Sequence, residues 1–536
     1  MKAFKSYIAA ALVGVTTLTG CIGDLDVSPL DPTIKDASQT FTDAESYTKG
    51  LNKIYSVWAL SGQDGAGSSD IVGLDPGNTA LLRCWWTMQE CTTDECKVAW
   101  SDSWCNEING LTWSTSKVES IEGTYQRLMY IVAVANDFLK NIGNAPAGVD
   151  IERYRSEARF CRALAYYNLM DLFGIPPFIT EANYSAAPSQ MTRAELFDWI
   201  EGELKDIYDK LPAARTEYGR ADKGTADALL ARLYLNAQVY TGKERYSDCI
   251  EACKRVIAAG YSLAGNYNSL FKADNGQNDD ARKEIIFPVM FDGTKTQSYG
   301  MAALILGSRS SSDFADDPAG INGAWDGFRS TQNLTELFDY KDNNEPSPST
   351  ILDKRGIFND HGGTTAQDIT TTPTGTFKTE GWSVYKYTNM GSDNKAGSNP
   401  AFPDTDFPMF RLADIYLMYA EAVARGGQGG DLQTAAGYVN QLRDRGYGDS
   451  SHHITADWLK ADNLRNILDE RSRELYWEGT RRTDLIRFGL FTSSSYLWPY
   501  KGGVITGVGV QDKYNVFPIP QTDLSVNGNL KQNEGY

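Results

Sequence analysis

Apolar residues recur at intervals of three and four along much of the chain, the spacing that places side chains on one face of an α-helix. One such run starts at Ile121 and ends at Ile142, directly before Gly143. A second predicted helix covers residues 151–173 and stops before the Gly-Ile-Pro-Pro stretch at 174–177. These patterns predict long amphipathic helices in the first half of the chain.

Other predicted helices come in pairs joined by short turns. Thr192 and Glu195 have the spacing of a capping box, before a helix that runs to about Leu211. Later helices, several with Ala-, Leu- and Tyr-rich faces, are predicted at about 226–240, 246–259, 411–425, 433–445 and 463–476. The pairs resemble tetratricopeptide units. The predicted fold class is therefore mainly α, with tetratricopeptide-like helical repeats.

The stretch from about 293 to 407 has a different pattern. Gly, Ser, Thr, Asp, Asn and Pro crowd it and no helical periodicity persists, which predicts long loops with short strands. Residues 41–113 are likewise loop-rich after their first helix. Long loops on a rigid helical body are where binding sites tend to lie. We therefore expect a loop-rich, short-strand face that carries the ligand site.

Composition excludes several classes of function. The 536-residue chain has a net charge of −18, which argues against a nucleic acid partner because phosphate binding needs a basic surface. Its three histidines are His361, His452 and His453, so metal catalysis through histidine ligands is not expected.

The first twenty residues have the pattern of a signal peptide. Two lysines precede an apolar run of secretory-signal length, which is too short for a permanent membrane helix. Leu18-Thr19-Gly20-Cys21 resembles a bacterial lipobox, so Cys21 is predicted to carry the acyl chains of a membrane anchor. The alternative is an ordinary signal peptide followed by a chance cysteine.

Seven further cysteines follow Cys21: Cys84, Cys91, Cys96, Cys105, Cys161, Cys249 and Cys253. They form no C-x-x-C pair, so zinc or iron–sulfur binding is poorly supported. An exported protein could oxidise some of the first four, and the odd number leaves at least one thiol unpaired. Cys161 and Cys253 lie on helical stripes and are predicted to be small core residues.

Residues 83–104 contain four of the twelve tryptophans, interleaved with polar and charged side chains. Trp85, Trp86, Trp100 and Trp104 do not make one helical stripe. We expect part of this group in the core and at least one or two members at a surface. An exposed ring beside carboxylates, amides and arginines suits sugars, which stack an apolar C–H face and hydrogen-bond at the edge. The cluster therefore predicts a carbohydrate-binding surface.

Motifs in order along the chain support a family resemblance. They include Cys21-Ile-Gly-Asp-Leu-Asp, Thr93-Asp94-Glu95-Cys96, Gly219-Arg220-Ala221-Asp222-Lys223, Pro403-Asp404-Thr405-Asp406, Arg481-Arg482-Thr483-Asp484-Leu485-Ile486-Arg487-Phe488-Gly489 and the closing Gln532-Asn533-Glu534-Gly535-Tyr536. Over nearly the whole mature chain the sequence resembles the SusD/RagB family of surface glycan-binding lipoproteins.

The resemblance implies a helical body with four tetratricopeptide-like units and no catalysis. It also implies a lipoprotein at the surface of the cell outer membrane that covers a SusC-like TonB-dependent barrel importing oligosaccharides. Asp24 and Asp26 resemble the surface-export signal of such lipoproteins. The predicted organisation is a signal peptide (1–20), a lipidated N-terminus and tether (21–40), an N-terminal helical region (41–215), a tetratricopeptide-like pair (216–270) and a C-terminal region (271–536) with the loop-rich insert.

Ligand residues carry over in part from the starch-binding member of the family. The positions that match its site are Asp75, Arg83, Trp100, Tyr299 and Trp325, the last after a one-residue insertion. Val98 replaces a second tryptophan and Ser103 replaces an asparagine of that site. Trp85 or Trp86 could supply a substitute platform. A starch-like α-glucan is the first expectation, and a fructan or another neutral glycan is the alternative.

The resemblance also implies a calcium site. Its matching ligands are Asn278, Asp280, the carbonyl of Arg282 and Asp404, in and beyond an acidic loop whose oxygen ligands suit calcium. Gly276 replaces an expected aspartate, and a solvated acidic turn is the alternative.

Two competing functions remain at this point. A secreted glycosidase needs two carboxylates about 5–10 Å apart, but no local carboxylate motif stands out. A peptide-capturing RagB-type protein is the other alternative, although the aromatic residues favour sugar.

Overall fold

The computed structural model describes residues 37–311 and 319–536. The predicted signal peptide, Cys21, Asp24 and Asp26 lie outside these residues. The described chain is mainly helical, as the sequence predicts, and its strands are only two to five residues long. No helix within the described ranges is long and apolar enough to cross a membrane.

We number the elements in chain order. The α-helices are α1 Ala37–Thr40, α2 Ala44–Ser56, α3 Leu81–Trp86, α4 Ser103–Gly110, α5 Glu119–Asn141, α6 Ile151–Phe173, α7 Arg193–Tyr208, α8 Lys223–Leu235, α9 Ala237–Thr241, α10 Tyr246–Ala258, α11 Asp279–Arg282, α12 Tyr299–Ser308, α13 Gln332–Thr335, α14 Leu412–Ala424, α15 Leu432–Tyr447, α16 Arg465–Leu475, α17 Arg481–Arg487 and α18 Gln521–Val526. The strands are β1 Cys96–Val98, β2 Ile285–Val289, β3 Phe328–Ser330, β4 Phe358–Asn359, β5 Ser383–Val384 and β6 Phe407–Arg411. They form antiparallel pairs β1–β3, β2–β6 and β4–β5.

The long helices stack in one continuous series. Along the chain α5 packs on α6, α6 on α7, α7 on α8 and α8 on α10. The series then continues with α14 on α10 and α15 on α14, although the loop-rich insert separates α10 from α14 in sequence. Successive helix pairs that each contact only their neighbours are the arrangement of a tetratricopeptide-like solenoid.

Helix ends follow the sequence signals closely. Helix α6 has the predicted bounds and ends at Phe173; Gly174 follows with a φ of 70°, which glycine adopts readily. At the start of α7, the N–H of Glu195 donates to the Thr192 hydroxyl, and the Glu195 carboxylate accepts the N–H of Thr192. This capping box satisfies two of the donors that a helix N-terminus leaves free.

Several short helices were not predicted, and α12 is the longest of them. Helix α12 lies inside the stretch expected to be loops and short strands, and all of its residues from Gly300 to Ser308 are buried. A helix that is apolar on every side has no amphipathic stripe, so periodicity does not reveal it. Apart from the four-residue α13 and one 3-10 turn, the rest of the insert is loops with short strands, as expected.

A buried ion network holds the C-terminal half together. The Arg411 guanidinium at the end of β6 lies 2.9 Å from Glu284, 2.6 Å from Glu474 and 2.6 Å from Glu478. Arg355 shares Glu474 at 3.1 Å. All five side chains are buried, so each charge depends on its partners for the solvation that water no longer provides.

Candidate functional site

A short strand pair creates the centre of the candidate site. In β1–β3, Val98 pairs with Phe328 and Cys96 with Ser330. The chain leaves β1 towards Trp100 and enters β3 after Trp325, so the two tryptophans meet at the same end of the pair. The Trp100 indole N–H donates to the main-chain oxygen of Trp325 at 2.8 Å. Both rings are half-buried, with one part of each accessible to a ligand.

Arg83 lies against both tryptophan rings. Its guanidinium carbon is 5.8 Å from the ring centroid of Trp100 and 5.7 Å from that of Trp325, within the range of a cation–π interaction. Burial lowers the pKa of Arg83 below its ordinary value, although the group remains charged at neutral pH. One N–H donates to the carbonyl of Gly77 at 3.3 Å. No described carboxylate forms a salt bridge with Arg83, so its remaining N–H groups are available to a ligand.

Tyr299 and Asp75 extend the site on the other side of Trp325. The rings of Tyr299 and Trp325 are 6.3 Å apart between centroids and are inclined by 41°. Gly77 lies between Asp75 and Tyr299. A Cβ added at Gly77 would be 3.2 Å from the Tyr299 ring and 3.4 Å from the Asp75 carboxylate, so Asp75 is close to Tyr299. We call Trp100, Trp325 and Tyr299, with Arg83 and Asp75 at their edge, the aromatic arc. The structure thus brings together all five matched residues.

Two further aromatic residues lie next to the arc, and sequence reasoning did not assign them to the site. The ring of Trp104 is 6.3 Å from that of Trp100, and the ring of Phe402 is 5.8 Å from that of Tyr299. Both are half-buried. Trp104 lies in the first turn of α4, next to the exposed Ser103. Trp104 belonged to the tryptophan cluster noted in the sequence, whereas no sequence pattern marked Phe402.

The proposed substitute platforms are wrong. Trp85 is 2% exposed and donates its indole N–H to Asn168, while Trp86 is 0% exposed and donates to the carbonyl of Trp477. Both tryptophans are core residues with their polar N–H satisfied, so neither is available to stack on a ligand.

Val98 is also in the interior, at 0% exposure. The Asn109 side-chain amide forms two hydrogen bonds with the main chain of Val98. It accepts the Val98 N–H at 2.9 Å and donates to the Val98 carbonyl at 2.8 Å. At this position the family's starch binder has a tryptophan. In this protein the position belongs to the core and is not available to a ligand. If the arc has a further platform, Trp104 and Phe402 are the rings positioned to provide it.

The residues expected to bind calcium have other partners. Asp280 accepts the N–H groups of Gly265 and Asn266 at 2.8 and 3.0 Å. Asp404 accepts the N–H of Gly293 and the hydroxyl of Ser398, both at 2.7 Å.

The other two expected ligands lie at the short helix α11. The Asn278 oxygen accepts the N–H of Asp280 at 2.9 Å, as the N-cap of α11, which also contains Arg282. No group of three or more His, Cys, Asp or Glu side chains in the described chain could hold a metal ion. The expected calcium set has only two carboxylates, with an amide and a main-chain carbonyl as its other ligands, so this observation does not test it. The calcium site stays a prediction, which a Tm that falls in EDTA and is restored by calcium would support.

The fold and the arc together define a class of protein. A helical-repeat body supports a loop-rich face, and that face presents inclined aromatic rings with an arginine and an aspartate at their edge. Flat rings bind apolar faces, and edge donors and acceptors bind hydroxyl or amide groups. The class is a repeat protein with an open surface for a ligand that is partly apolar and rich in hydrogen-bonding groups.

Comparison with known proteins identifies the family. Residues 358–536 match the model described as "SusD family", and residues 81–235 match the model described as "Starch-binding associating with outer membrane". The chain is 35% identical, over an alignment of 571 positions, to starch-binding protein SusD of Bacteroides thetaiotaomicron, covering 100% of this chain and 99% of that protein. It is 24% identical to SusD-like protein P25 of Formosa agariphila, over 78% of this chain and 80% of that protein. The chain belongs to the SusD family.

Solved structures agree on the fold. Surface glycan-binding protein A from Bacteroides thetaiotaomicron, in complex with laminarihexaose, superposes with a TM-score of 0.68 at 18% identity, over 92% of this chain and 100% of that chain. A SusD-like protein from Bacteroides fragilis superposes with a TM-score of 0.67 at 21% identity, over 95% of this chain and 100% of that chain. Family membership makes this chain a binding protein and not an enzyme, which removes the glycosidase alternative.

Proposed function

We propose that this protein is a non-catalytic surface glycan-binding lipoprotein that captures a starch-like α-glucan and delivers it to a SusC-like TonB-dependent transporter in the outer membrane. The observation that carries the proposal is the position of Arg83 against the rings of Trp100 and Trp325, with Tyr299 beside them. The name of the full-length relative, starch-binding protein SusD, supports the same ligand.

The arc has the chemistry of a sugar site. The apolar C–H face of a pyranose ring stacks on an indole or phenol ring, while the Arg83 N–H groups and the Asp75 carboxylate meet hydroxyls at the ring edge. Because these contacts are few and the surface is open, we expect weak binding at the single site. A polymer held at several points, or enclosed between this protein and a transporter, would bind more tightly.

The inclination of the rings favours a curved ligand. Tyr299 and Trp325 differ by 41°, so consecutive sugars that stack on both rings have to turn relative to one another. An α-1,4-linked glucan coils in solution, whereas a β-1,4-linked chain is a flat ribbon. The burial of Val98 and the serine at position 103 are the two observations that favour another neutral glycan, such as a fructan, as the second candidate.

The family and the sequence support the proposed location and partner. The family description includes association with the outer membrane. The predicted lipidation of Cys21 would provide the anchor, and a binding protein held at the membrane needs a transporter to move its ligand inward. We therefore expect a TonB-dependent barrel to co-purify with the protein from membranes solubilised in mild detergent.

Native affinity electrophoresis tests the ligand. The soluble protein, beginning at Ile22, is run in gels that contain amylopectin, pullulan, levan, inulin, xylan or pectin. Trp100→Ala and Trp325→Ala run beside it, with Tyr184→Ala as a matched control, because Tyr184 is 81% exposed on the loop between α6 and α7. We expect amylopectin and pullulan to retard the wild type and the control but neither arc variant.

The other outcomes separate the alternatives. Retardation by levan or inulin alone would reject the α-glucan and support a fructan ligand at the same arc. Equal retardation of the wild type and both arc variants would reject the arc as the site. A protein that no polysaccharide retards, but that binds oligopeptides, would support the peptide-capturing alternative.

A further inference from the structure

Two cysteines at the start of β1 and just before it are in direct contact. The Sγ atoms of Cys91 and Cys96 are 3.5 Å apart, and both side chains are fully buried. Cys91 ends the helical segment that follows α3, and Cys96 begins β1, the strand that leads to Trp100. A sharp turn between them brings the two thiols together.

The second neighbouring pair of cysteines differs in geometry. Cys249 and Cys253 are also adjacent, but both lie on α10 with a spacing of four. Cβ atoms four residues apart on a helix are about 5–6 Å apart, whereas a disulfide needs about 3.5–4.5 Å. Residues 91 and 96 are joined by a turn and are free of this helical constraint. The fold therefore distinguishes the two pairs.

We propose that Cys91 and Cys96 form an intramolecular disulfide in the exported protein. The two thiols lose two protons and two electrons, and a bond forms between the sulfur atoms. The electrons reduce the disulfide of a thiol–disulfide oxidoreductase in the exporting compartment to a dithiol. A disulfide sulfur–sulfur distance is about 2.05 Å, so the atoms approach by about 1.5 Å. The proposal goes beyond the proposed function and rests only on the export that the N-terminal sequence predicts.

Burial determines when the bond forms. Neither thiol is accessible in the folded chain, and burial raises the pKa of Cys96 well above its ordinary value. The thiolate is the reactive form of cysteine, so the folded dithiol reacts slowly with oxidants. The bond therefore forms before the turn packs into the core, and the folded protein then protects it from reductants.

The turn closed by the bond is a junction between distant segments. Its Asp94 carboxylate binds the Arg481 guanidinium at 2.6 Å, and its Glu95 carboxylate accepts an N–H from Trp477 at 3.4 Å. A bond across the base of the turn would hold both carboxylates and the start of β1 in place. The expected result is a more stable junction, because the ring reduces the freedom of the unfolded chain.

Peptide mapping tests the proposal directly. The exported protein is denatured in a thiol-alkylating reagent without reductant and is then digested with trypsin, which releases residues 84–97 as one peptide. A second protease, which cleaves on the N-terminal side of aspartate, then cuts this peptide before Asp94 into residues 84–93 and 94–97. We expect the two parts to stay joined, two hydrogen masses below the free pair, and to separate on reduction. Cys84→Ser is the matched control, which should leave the link intact.

Other mapping results would overturn the proposal. These are three alkylated cysteines in peptide 84–97, a link that disappears in Cys84→Ser, or a Cys249–Cys253 disulfide with Cys91 and Cys96 free. Mapping needs no glycan, so it stands or fails independently of ligand binding.

Thermal unfolding measures the effect of the disulfide on Tm. The comparison is between two forms of the wild type, so it does not depend on a variant being as stable as the wild type. The wild type purified from a reducing cytoplasm, beginning at Ile22, should have a Tm about 2 °C below that of the exported, oxidised protein. The Cys91→Ser/Cys96→Ser double variant should give the same Tm from both sources. Equal values for the two forms of the wild type would overturn the stabilising role of the bond.

Discussion

Gly327 controls the position of Trp100 without touching a ligand. A Cβ at this position would lie 2.1 Å from Cζ2 and 2.4 Å from Cε2 of the Trp100 ring. Gly327 does not have a positive φ, so Gly327→Ala is acceptable to the backbone, and the three atoms nearest the added Cβ all belong to the Trp100 ring. Carbon atoms approach to about 3.5 Å, so the ring edge has to move by about 1.4 Å.

This movement affects both the fold and the arc. Moving the ring breaks the hydrogen bond from the Trp100 indole N–H to the Trp325 carbonyl. It also changes the surface of Trp100 on which a ligand can stack. Overpacking typically costs about 1–3 kcal/mol of stability, and we expect the lower end because the ring is only half-buried. An aromatic contact contributes about 0.5–1.5 kcal/mol, so the Kd for an α-glucan should rise by up to about tenfold.

The measurement is titration calorimetry with a maltooligosaccharide, accompanied by thermal unfolding. Gly437→Ala is the matched control, because Gly437 lies exposed in α15 with no atom within 4 Å of its added Cβ. It should keep wild-type affinity and lose no stability. Gly327→Ala added to Trp100→Ala should lower the affinity no further, because both changes remove the same contact. A folded Gly327→Ala protein with wild-type affinity would refute the assigned role of Trp100.

Further predictions address the arc and the buried charges. Arg83→Lys should weaken α-glucan binding about as much as Arg83→Ala, because a lysine cannot place a planar donor group against Trp100 and Trp325; calorimetry that finds wild-type affinity for the lysine variant would contradict this. Arg411→Leu should lower the free energy of unfolding in urea by about 3–5 kcal/mol, since it leaves buried carboxylates without their partner, and a loss below about 1 kcal/mol would disprove the role of the network. Burial opposes ionisation of Glu474, but neighbouring arginines outweigh it and lower its pKa to about 2 from 4.5. Its contribution to stability should therefore be complete above about pH 4.5 and be lost as the pH falls towards 2, which urea unfolding at several pH values will measure.

The helical body could be predicted because apolar residues recur at intervals of three and four along its long helices. The bounds of α6 and the capping box of α7 follow from residues that are adjacent in sequence. Helix α12 could not be predicted in the same way, because it is apolar all round. A helix without regularly spaced polar positions has no such pattern.

The arc could be predicted only in part. Its members come from four segments, and no local pattern links Arg83 to Tyr299 or Trp325; the family resemblance named them. Crowding of tryptophans in sequence did not indicate exposure, since Trp85 and Trp86 are core residues while Trp100 and Trp104 are half-buried. The contact between Cys91 and Cys96 depends on the turn between them, which spacing alone does not specify.

The hydrogen bond between the Trp100 indole N–H and the Trp325 carbonyl joins residues that are 225 positions apart in the sequence. The two sides of the arc therefore come together only after most of the chain has been synthesised and folded. A fragment that ends before Phe328 lacks β3, so it cannot hold the two tryptophans together. Glycan capture is thus a property of the finished molecule, and retention on a glycan column would select chains whose distant halves have joined correctly.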